Sequence, residues 1–391
     1  MTTMALPLLM LAVWAYLLFG RGWFWLCRER DDWVALRDGG ALADWPSVVA
    51  IIPARNEAHT ISECVGSLLR QNYGGRFSVV VVDDQSSDGT AVAARAAASS
   101  AGVRRLQIVA GSSLPPGWTG KLWAMHQGLS AVDATLEAPE FVLFSDADIA
   151  HGRDALHRLV AIALAKRSVL TSLMVKLRCE SPAERWLVPS FVFFFQMLYP
   201  FTWVNDSGRR TAAAAGGCML AHREALGAAG GLEALHGALI DDCALGALMK
   251  RQGPVWLGLT DQAHSVRGYS AFADFRRMVA RSAFAELRYS PWRLAGAIGG
   301  MCLTYLAPPF FAIFGRGVEQ LAGVLAWAAM AVALGPMLRF YGRPLAGGLA
   351  LPAIAVAYIA FTVESAIDYW RGQGGYWKGR VQAPMPEAGQ S

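Results

Sequence analysis

The sequence predicts an α/β domain built on a mostly parallel sheet, preceded by one apolar anchor helix and followed by a block of transmembrane helices. Three observations carry this. The middle of the chain alternates short β-branched runs with helical stretches. Those runs are continuously apolar, which marks strands covered on both faces, as parallel strands are. And of 391 residues, 54% are hydrophobic and only 17% charged, leaner than the roughly 25% of a soluble chain. That imbalance asks for a second burial environment, and a bilayer is the simplest.

Taken in order, residues 1–20 carry no charged side chain, and Arg21, Trp23, Trp25, Arg28 and Arg30 follow. A cleaved signal peptide carries its positive charge before the apolar run, so residues 1–26 read as an uncleaved transmembrane anchor. The positive-inside rule then puts everything after Arg21 at the cytoplasmic face of the inner membrane.

From 45 to 270 the pattern is that of the α/β domain. Residues 47–52 (SVVAII), 77–82 (FSVVVV), 106–109 and 140–144 (EFVLF) read as strands. Between them, 59–71, 89–98 and 121–131 read as helices. In such sheets ligands bind beyond the carboxyl ends of the strands. Polar groups fill those positions: Pro53-Ala-Arg-Asn56-Glu57, Asp83-Asp84 running to Asp88-Gly89-Thr90, and Asp146-Ala-Asp148.

Inside this domain, 186–204 (WLVPSFVFFFQMLYPFTWV) is long enough to span. Pro189, Gln196 and Pro200 interrupt it, and acidic groups of one presumed site lie on both sides of it in sequence. It is therefore expected to be interfacial or buried. Residues 271–293 read as a basic amphipathic interfacial helix carrying Arg276, Arg277, Arg281, Arg288 and Arg293. Residues 294–363 form the C-terminal transmembrane block, with spans near 294–314, 321–338 and 345–363, and 364–391 is a tail. Three full crossings would leave Arg371, Lys378 and Arg380 outside, against the charge rule. A first span made re-entrant by Pro308-Pro309 would return the tail to the cytoplasm.

The acidic clusters suggest the chemistry. Asp146 and Asp148, spaced by one residue after a buried strand, suit one hard divalent cation, Mg²⁺ or Mn²⁺, that bridges to phosphate oxygens. A diphosphate leaving group gains most from such an ion, because its charge grows as the bond to a sugar breaks. Asp84 suits the imide N–H of a uracil. Asn56 and Glu57, with Pro53 at the same strand end, suit either ribose binding or loop ordering. Asp241-Asp242 precede an amphipathic helix. One carboxylate would serve as a cap; two leave Asp242 as a general base toward an acceptor hydroxyl, with Asp241 in support.

Lys121 sits where the Gly120 loop enters a helix and is placed to touch a diphosphate. Arg281 is the arginine of the basic helix chosen to reach that same diphosphate, the others facing lipid phosphates. His126, His151, His222 and His264 have no metal spacing. The six cysteines lack any C-x-x-C pair and read as reduced packing residues. A net charge of +5 with no basic run argues for an anionic lipid surface and against nucleic acid.

The order P-x-x-N-E, D-D-x-S-x-D-G-T, D-x-D, then G-G before D-D-x-x-L-G resembles the inverting family 2 glycosyltransferases of GT-A fold, over roughly 45–290. One anchor before the domain and a hydrophobic block after it look like ceramide glucosyltransferase. Gly117-Trp-Thr-Gly-Lys-Leu-Trp123 and Arg277-Met-Val-Ala-Arg-Ser-Ala-Phe284 look closest to the bacterial hopene-associated glycosyltransferases. By position, the resemblance implies uracil recognition near Asp84, metal at Asp146 and Asp148, a base at Asp242, and a sugar–acceptor pocket lined by Gly216 and Gly217. The chain departs at Met278-Val-Ala-Arg281-Ser282, which keeps only the arginine of the Q/R-x-x-R-W pattern of processive synthases.

The expected reaction is a single inverting displacement from a nucleotide sugar, in first place a UDP-sugar, to a membrane lipid acceptor. By resemblance that acceptor is a hopanoid or related isoprenoid lipid. A polyprenyl-phosphate sugar synthase is the enzymatic rival, and a non-catalytic nucleotide-binding scaffold of a lipid-biosynthesis complex is the rival of another class.

Overall fold

A computed structural model describes residues 5–31, 44–102, 105–135, 138–269, 271–372, 376–377 and 380–381. Lys378 and most of the expected tail lie outside the described residues. The chain divides into two compact units.

The sheet unit, built from 29–178 and 203–267 with the C-terminal residues, centres on an eight-stranded sheet of order β3-β2-β1-β4-β7-β6-β8-β5. Its strands are β1 Val48–Ala54, β2 Phe77–Asp83, β3 Leu106–Ala110, β4 Phe141–Ser145, β5 Ile149–His151, β6 Leu170–Lys176, β7 Cys218–His222 and β8 Val255–Ser265. β1 pairs in parallel with β2 and β4, and β2 with β3. Beyond β4 the sheet becomes mixed: β7 runs antiparallel to β4 and β6, and β5 antiparallel to β8. The expected mostly parallel sheet is thus correct for the first four strands, and the antiparallel partners come from segments whose strands the sequence pattern did not reveal.

The continuous apolar runs have the expected cause. Val48, Ala50, Ile52 and Ala54 point into one core with Ile61, Cys64, Val65 and Leu68. On the opposite face, Ile51 and Val82 meet the helix Gly120–Thr135 at Gly128, where a Cβ would come within 2.5 Å of Ile51 Cγ2. Residues 29–31 join the far side of the sheet. Arg30 bridges Leu259 of β8, and buried Asp31 accepts the Thr260 hydroxyl at 2.5 Å.

The helical unit comprises residues 1–28, 179–202 and 268–374. Four of the described helices are long and apolar enough to cross a membrane: Pro182–Val204, Pro291–Phe314, Val318–Phe340 and Leu345–Trp370. The last three match the expected block. The first is the aromatic segment read as interfacial, and most of it is buried inside the protein. The N-terminal helix, Ala5–Gly20, is shorter than the ~20 residues of a usual span.

Residues 271–293 are not the single helix expected. Phe272–Ala280 and Ala283–Glu286 are separate turns of helix. Arg288 and Tyr289 then take positive φ (52° and 55°), and Ser290 caps a new helix with Pro291 in its first turn. A left-handed pair followed by Ser-Pro ends one helix and starts another. Pro308-Pro309 do not break the Pro291–Phe314 run either, since they fall in the first turn after a π-helical segment at Cys302–Leu306. The carbonyl of Thr304, in that segment, accepts the Trp14 indole N–H at 2.8 Å.

Phe272–Trp292 lies along the end of the last helix. Arg276 pairs with Glu364 at 2.9 Å, Phe284 N–H donates to Ser365, and Tyr289 stacks on Tyr369 with centroids 4.3 Å apart. Large apolar side chains, among them Phe310, Ile313, Phe314, Leu321, Val332 and Val356, stay exposed on the long helices. An uncovered apolar surface of this kind belongs against lipid or a partner.

Candidate active site

The ammonium of Lys121 lies at the centre of an acidic cluster. It is 2.9 Å from Asp146 Oδ1, in the turn after β4, and 3.1 Å from Asp241 Oδ2, at the start of the helix Asp241–Met249. Gly216, just before β7, donates its N–H to Asp242 Oδ2 at 2.9 Å. A Cβ on Gly216 would stand 3.2 Å from both that oxygen and Lys121 Nζ. Residues far apart in sequence (Lys121, Asp146, Gly216, Asp241 and Asp242) therefore meet at one point. Cys243 N–H donates to the other Asp242 oxygen at 2.7 Å, so the carboxylate is held at both ends. Burial, then the negative charge of Asp241, pushes the Asp242 carboxyl up to about 6, against the pull of Lys121 and the two N–H donors. Burial works against the Lys121 ammonium, but Asp146, Asp241 and Asp242 together hold its pKa above the ordinary lysine range.

Asp148 belongs to a second cluster. Arg267, two residues past β8, donates Nε–H to Asp148 Oδ2 at 2.8 Å, and its Nη2 reaches both Glu57 oxygens at 2.6 Å. The Ser265 hydroxyl donates to the same Asp148 oxygen at 3.3 Å. Sequence reasoning missed Arg267. Its signal, a basic residue directly after a long strand, has meaning only once the end of β8 is known to pair with β5, which starts right after Asp148.

At the β1 and β2 ends, Asn56 (φ 50°) and the following loop tie the two strands together. Asn56 N–H donates to Ser86 Oγ, its side-chain oxygen accepts Ser87 N–H at 2.9 Å, and Glu57 N–H donates to Thr90 Oγ1 at 2.8 Å. Asp84 is fully buried, with Arg55 3.7 Å from its carboxylate, while the Asp83 side of the pair is partly open. Pro53 is buried in β1, opposite Val82. Gly217 packs on the core: a Cβ there would meet Val175 at 2.9 Å. Arg281 ends the helix Phe272–Ala280 in the helical unit, exposed to solvent.

A further feature escaped the sequence reading. Trp118 packs edge-on against Trp123, with centroids 5.2 Å apart, and lies 6.1 Å from His236. Thr119 N–H donates to His236 O at 3.1 Å. The loop leading to Asp241 is thereby fastened to the start of the Lys121 helix.

The donor set suits a hard cation. Lys121 uses one oxygen of Asp146, and Arg267 with Ser265 one oxygen of Asp148, which leaves one carboxylate oxygen on each for a metal. Among the described residues no three His, Cys, Asp or Glu side chains gather as a metal site. Among the described residues no disulfide is formed, and Cys27, Cys64 and Cys218 are buried.

Comparison with known proteins agrees with this architecture. The family model described as glycosyltransferase like family 2 matches residues 46–267. An N-acetylglucosaminyltransferase of Mesorhizobium japonicum is 49% identical over 49 residues, 12% of this chain and 12% of that protein. One from Rhizobium leguminosarum bv. phaseoli is 44% identical over 54 residues, 14% of this chain and 13% of that protein. These matches span only about an eighth of the relatives' length. Among solved structures, the mannosyltransferase PcManGT of Pyrobaculum calidifontis, in complex with GDP-Man and Mn²⁺, superposes with TM-score 0.52. It covers 93% of this chain and 99% of that one at 20% identity, a likeness of fold.

Proposed function

The chain belongs to the family of that model, glycosyltransferase like family 2, and from this premise we propose that it transfers a sugar from a nucleotide-sugar donor to a lipid acceptor at a membrane. The observation that carries the reading is the meeting of Lys121, Asp146, Asp241 and the Asp242–Gly216 pair. A binding module has no use for a carboxylate whose pKa is raised toward neutrality beside a phosphate-binding lysine, whereas a transferase needs both. The four long apolar helices support a membrane acceptor, and a hopanoid or related isoprenoid lipid remains the specific acceptor we propose.

In this reading Asp242 takes the proton from an acceptor hydroxyl as its oxygen attacks the anomeric carbon. The new C–O bond forms as the bond to the donor phosphate breaks, and a single attack inverts that carbon. Asp242 then gives its proton to solvent. A divalent cation held by Asp146 and Asp148 would offset the charge growing on the departing diphosphate. Lys121, and Arg281 if it is brought to the donor, add positive charge on that side. Gly216 keeps the space around the base clear. The uracil contact falls to the Asp83-Asp84 strand end. Asp84 organises it from within the core, and Asn56 and Glu57 order the loop beside it.

The test is release of UDP by the purified protein with UDP-sugars and lipid extract. Asp242→Asn is expected to lower turnover by about 10²–10⁴-fold. Unchanged turnover would remove the base and favour a polyprenyl-phosphate acceptor, which is already ionised. Donor binding with no sugar release across donors and lipids would favour a scaffold.

A further inference from the structure

Arg267 is a basic group that the reaction scheme above leaves unused, and its guanidinium is paired with two carboxylates. Its guanidinium joins three strand ends: it follows β8, pairs with Asp148 after β4, and pairs with Glu57 after β1. Each partner is fixed from a second direction. Glu57 Oε2 accepts the Thr60 hydroxyl at 2.9 Å. Asp148 Oδ2 accepts Ser265, and the Asp148 carbonyl accepts Val266 N–H at 2.8 Å. Asp148 is therefore held through Oδ2, which takes both side-chain hydrogen bonds described for this carboxylate.

From this geometry we propose that Arg267 is a positioning residue that presents the free oxygen of Asp148 to the donor-bound cation, with Glu57 as the brace that keeps the guanidinium in place. The proposal rests on the nucleotide-sugar reading. A planar fork can hold two carboxylates at fixed angles, which a lysine, as a point charge on a flexible stem, cannot. Groups that orient a metal ligand change metal affinity by about 10–100-fold when removed.

The experiment is Mn²⁺ binding to the full-length protein in detergent, followed by electron paramagnetic resonance with saturating UDP. It is paired with UDP binding in EDTA by calorimetry. Arg267→Met and Arg267→Lys are both expected to weaken Mn²⁺ in the UDP complex by 10-fold or more, with UDP binding in EDTA within about twofold of wild type. Glu57→Gln is expected to act in the same direction by a smaller factor, and to add little on top of Arg267→Met. Unchanged Mn²⁺ affinity in the arginine variants would overturn the proposal. So would an equal loss of UDP binding in EDTA, which would make Arg267 a direct phosphate ligand. Should Arg267→Met not fold, Ser265→Ala serves: it is expected to weaken Mn²⁺ by severalfold, and no change overturns the proposal. Wild-type protein that binds neither UDP nor Mn²⁺ with UDP would instead sink the donor reading on which the proposal stands.

Discussion

At the scale of single residues, the proposed role of Asp242 as base carries a pH dependence. A base works only when ionised, and this group is pushed up to about 6 by burial and by Asp241. Initial rates under kcat/KM conditions should therefore rise with pH through about 6 and level off above it. Asp241→Asn removes the neighbouring negative charge, so the midpoint should move to lower pH; a fixed midpoint would exclude Asp242 as the titrating group. The adjacent glycines should separate function from stability. Gly216→Ala puts a methyl 3.2 Å from both Asp242 and Lys121, so activity should fall at least tenfold while the melting temperature barely moves. Gly217→Ala drives its methyl to 2.9 Å from Val175, an overpacking worth about 1–3 kcal/mol, read as a lowered melting temperature.

At the scale of elements, the chain after Pro182–Leu198 is fastened by one lysine. Lys250, at the end of the Asp241–Met249 helix, donates to the carbonyls of Trp203, Val204 and Thr211 at 3.2, 2.7 and 2.6 Å. Lys250→Met leaves those acceptors without their donor and should cost about 1–3 kcal/mol. Thermal unfolding of the variant checks this, and an unchanged midpoint would show water replacing the ammonium at no cost. The elements also show what could be read in advance. β1, β2 and β4 are uninterrupted apolar runs, and their pattern alone locates them. β5 is three residues long, and β7 follows a run of alanines and glycines that carries no period. Their existence depends on long-range pairing, so no local pattern announces them. The site divides in the same way. Lys121, Asp146, Asp241 and Asp242 stand in strand-end and helix-start motifs and were legible. Arg267 gains its partners only through the β5–β8 and β1–β4 pairings, and the 272–290 break depends on two backbone angles that arginine and tyrosine rarely adopt.

At the scale of the whole molecule, the stacked pair Tyr289 and Tyr369 sets the parity of the membrane path. Tyr289 stands just before the first of the three C-terminal helices and Tyr369 at the end of the last, yet their rings are 4.3 Å apart. The two rings lie at the same level, and the prediction is that the segment between them crosses a bilayer an even number of times, with one of its three long helices turning back. Arg371 should then emerge on the same side as Arg276 and Arg288, as the charge rule prefers. Cysteine labelling with a membrane-impermeant reagent, at Arg276 and at Arg371, should give the same accessibility; opposite accessibility would exclude the even path. A different lesson attaches to the short tether at 29–31. Because Arg30 and Asp31 are stitched to Leu259 and Thr260 of β8, a version trimmed to begin at residue 45 would lose a tether on the strand that leads into Ser265 and Arg267. Anyone shortening this protein for crystallisation should start no later than Glu29, or accept a candidate site with one wall loosened.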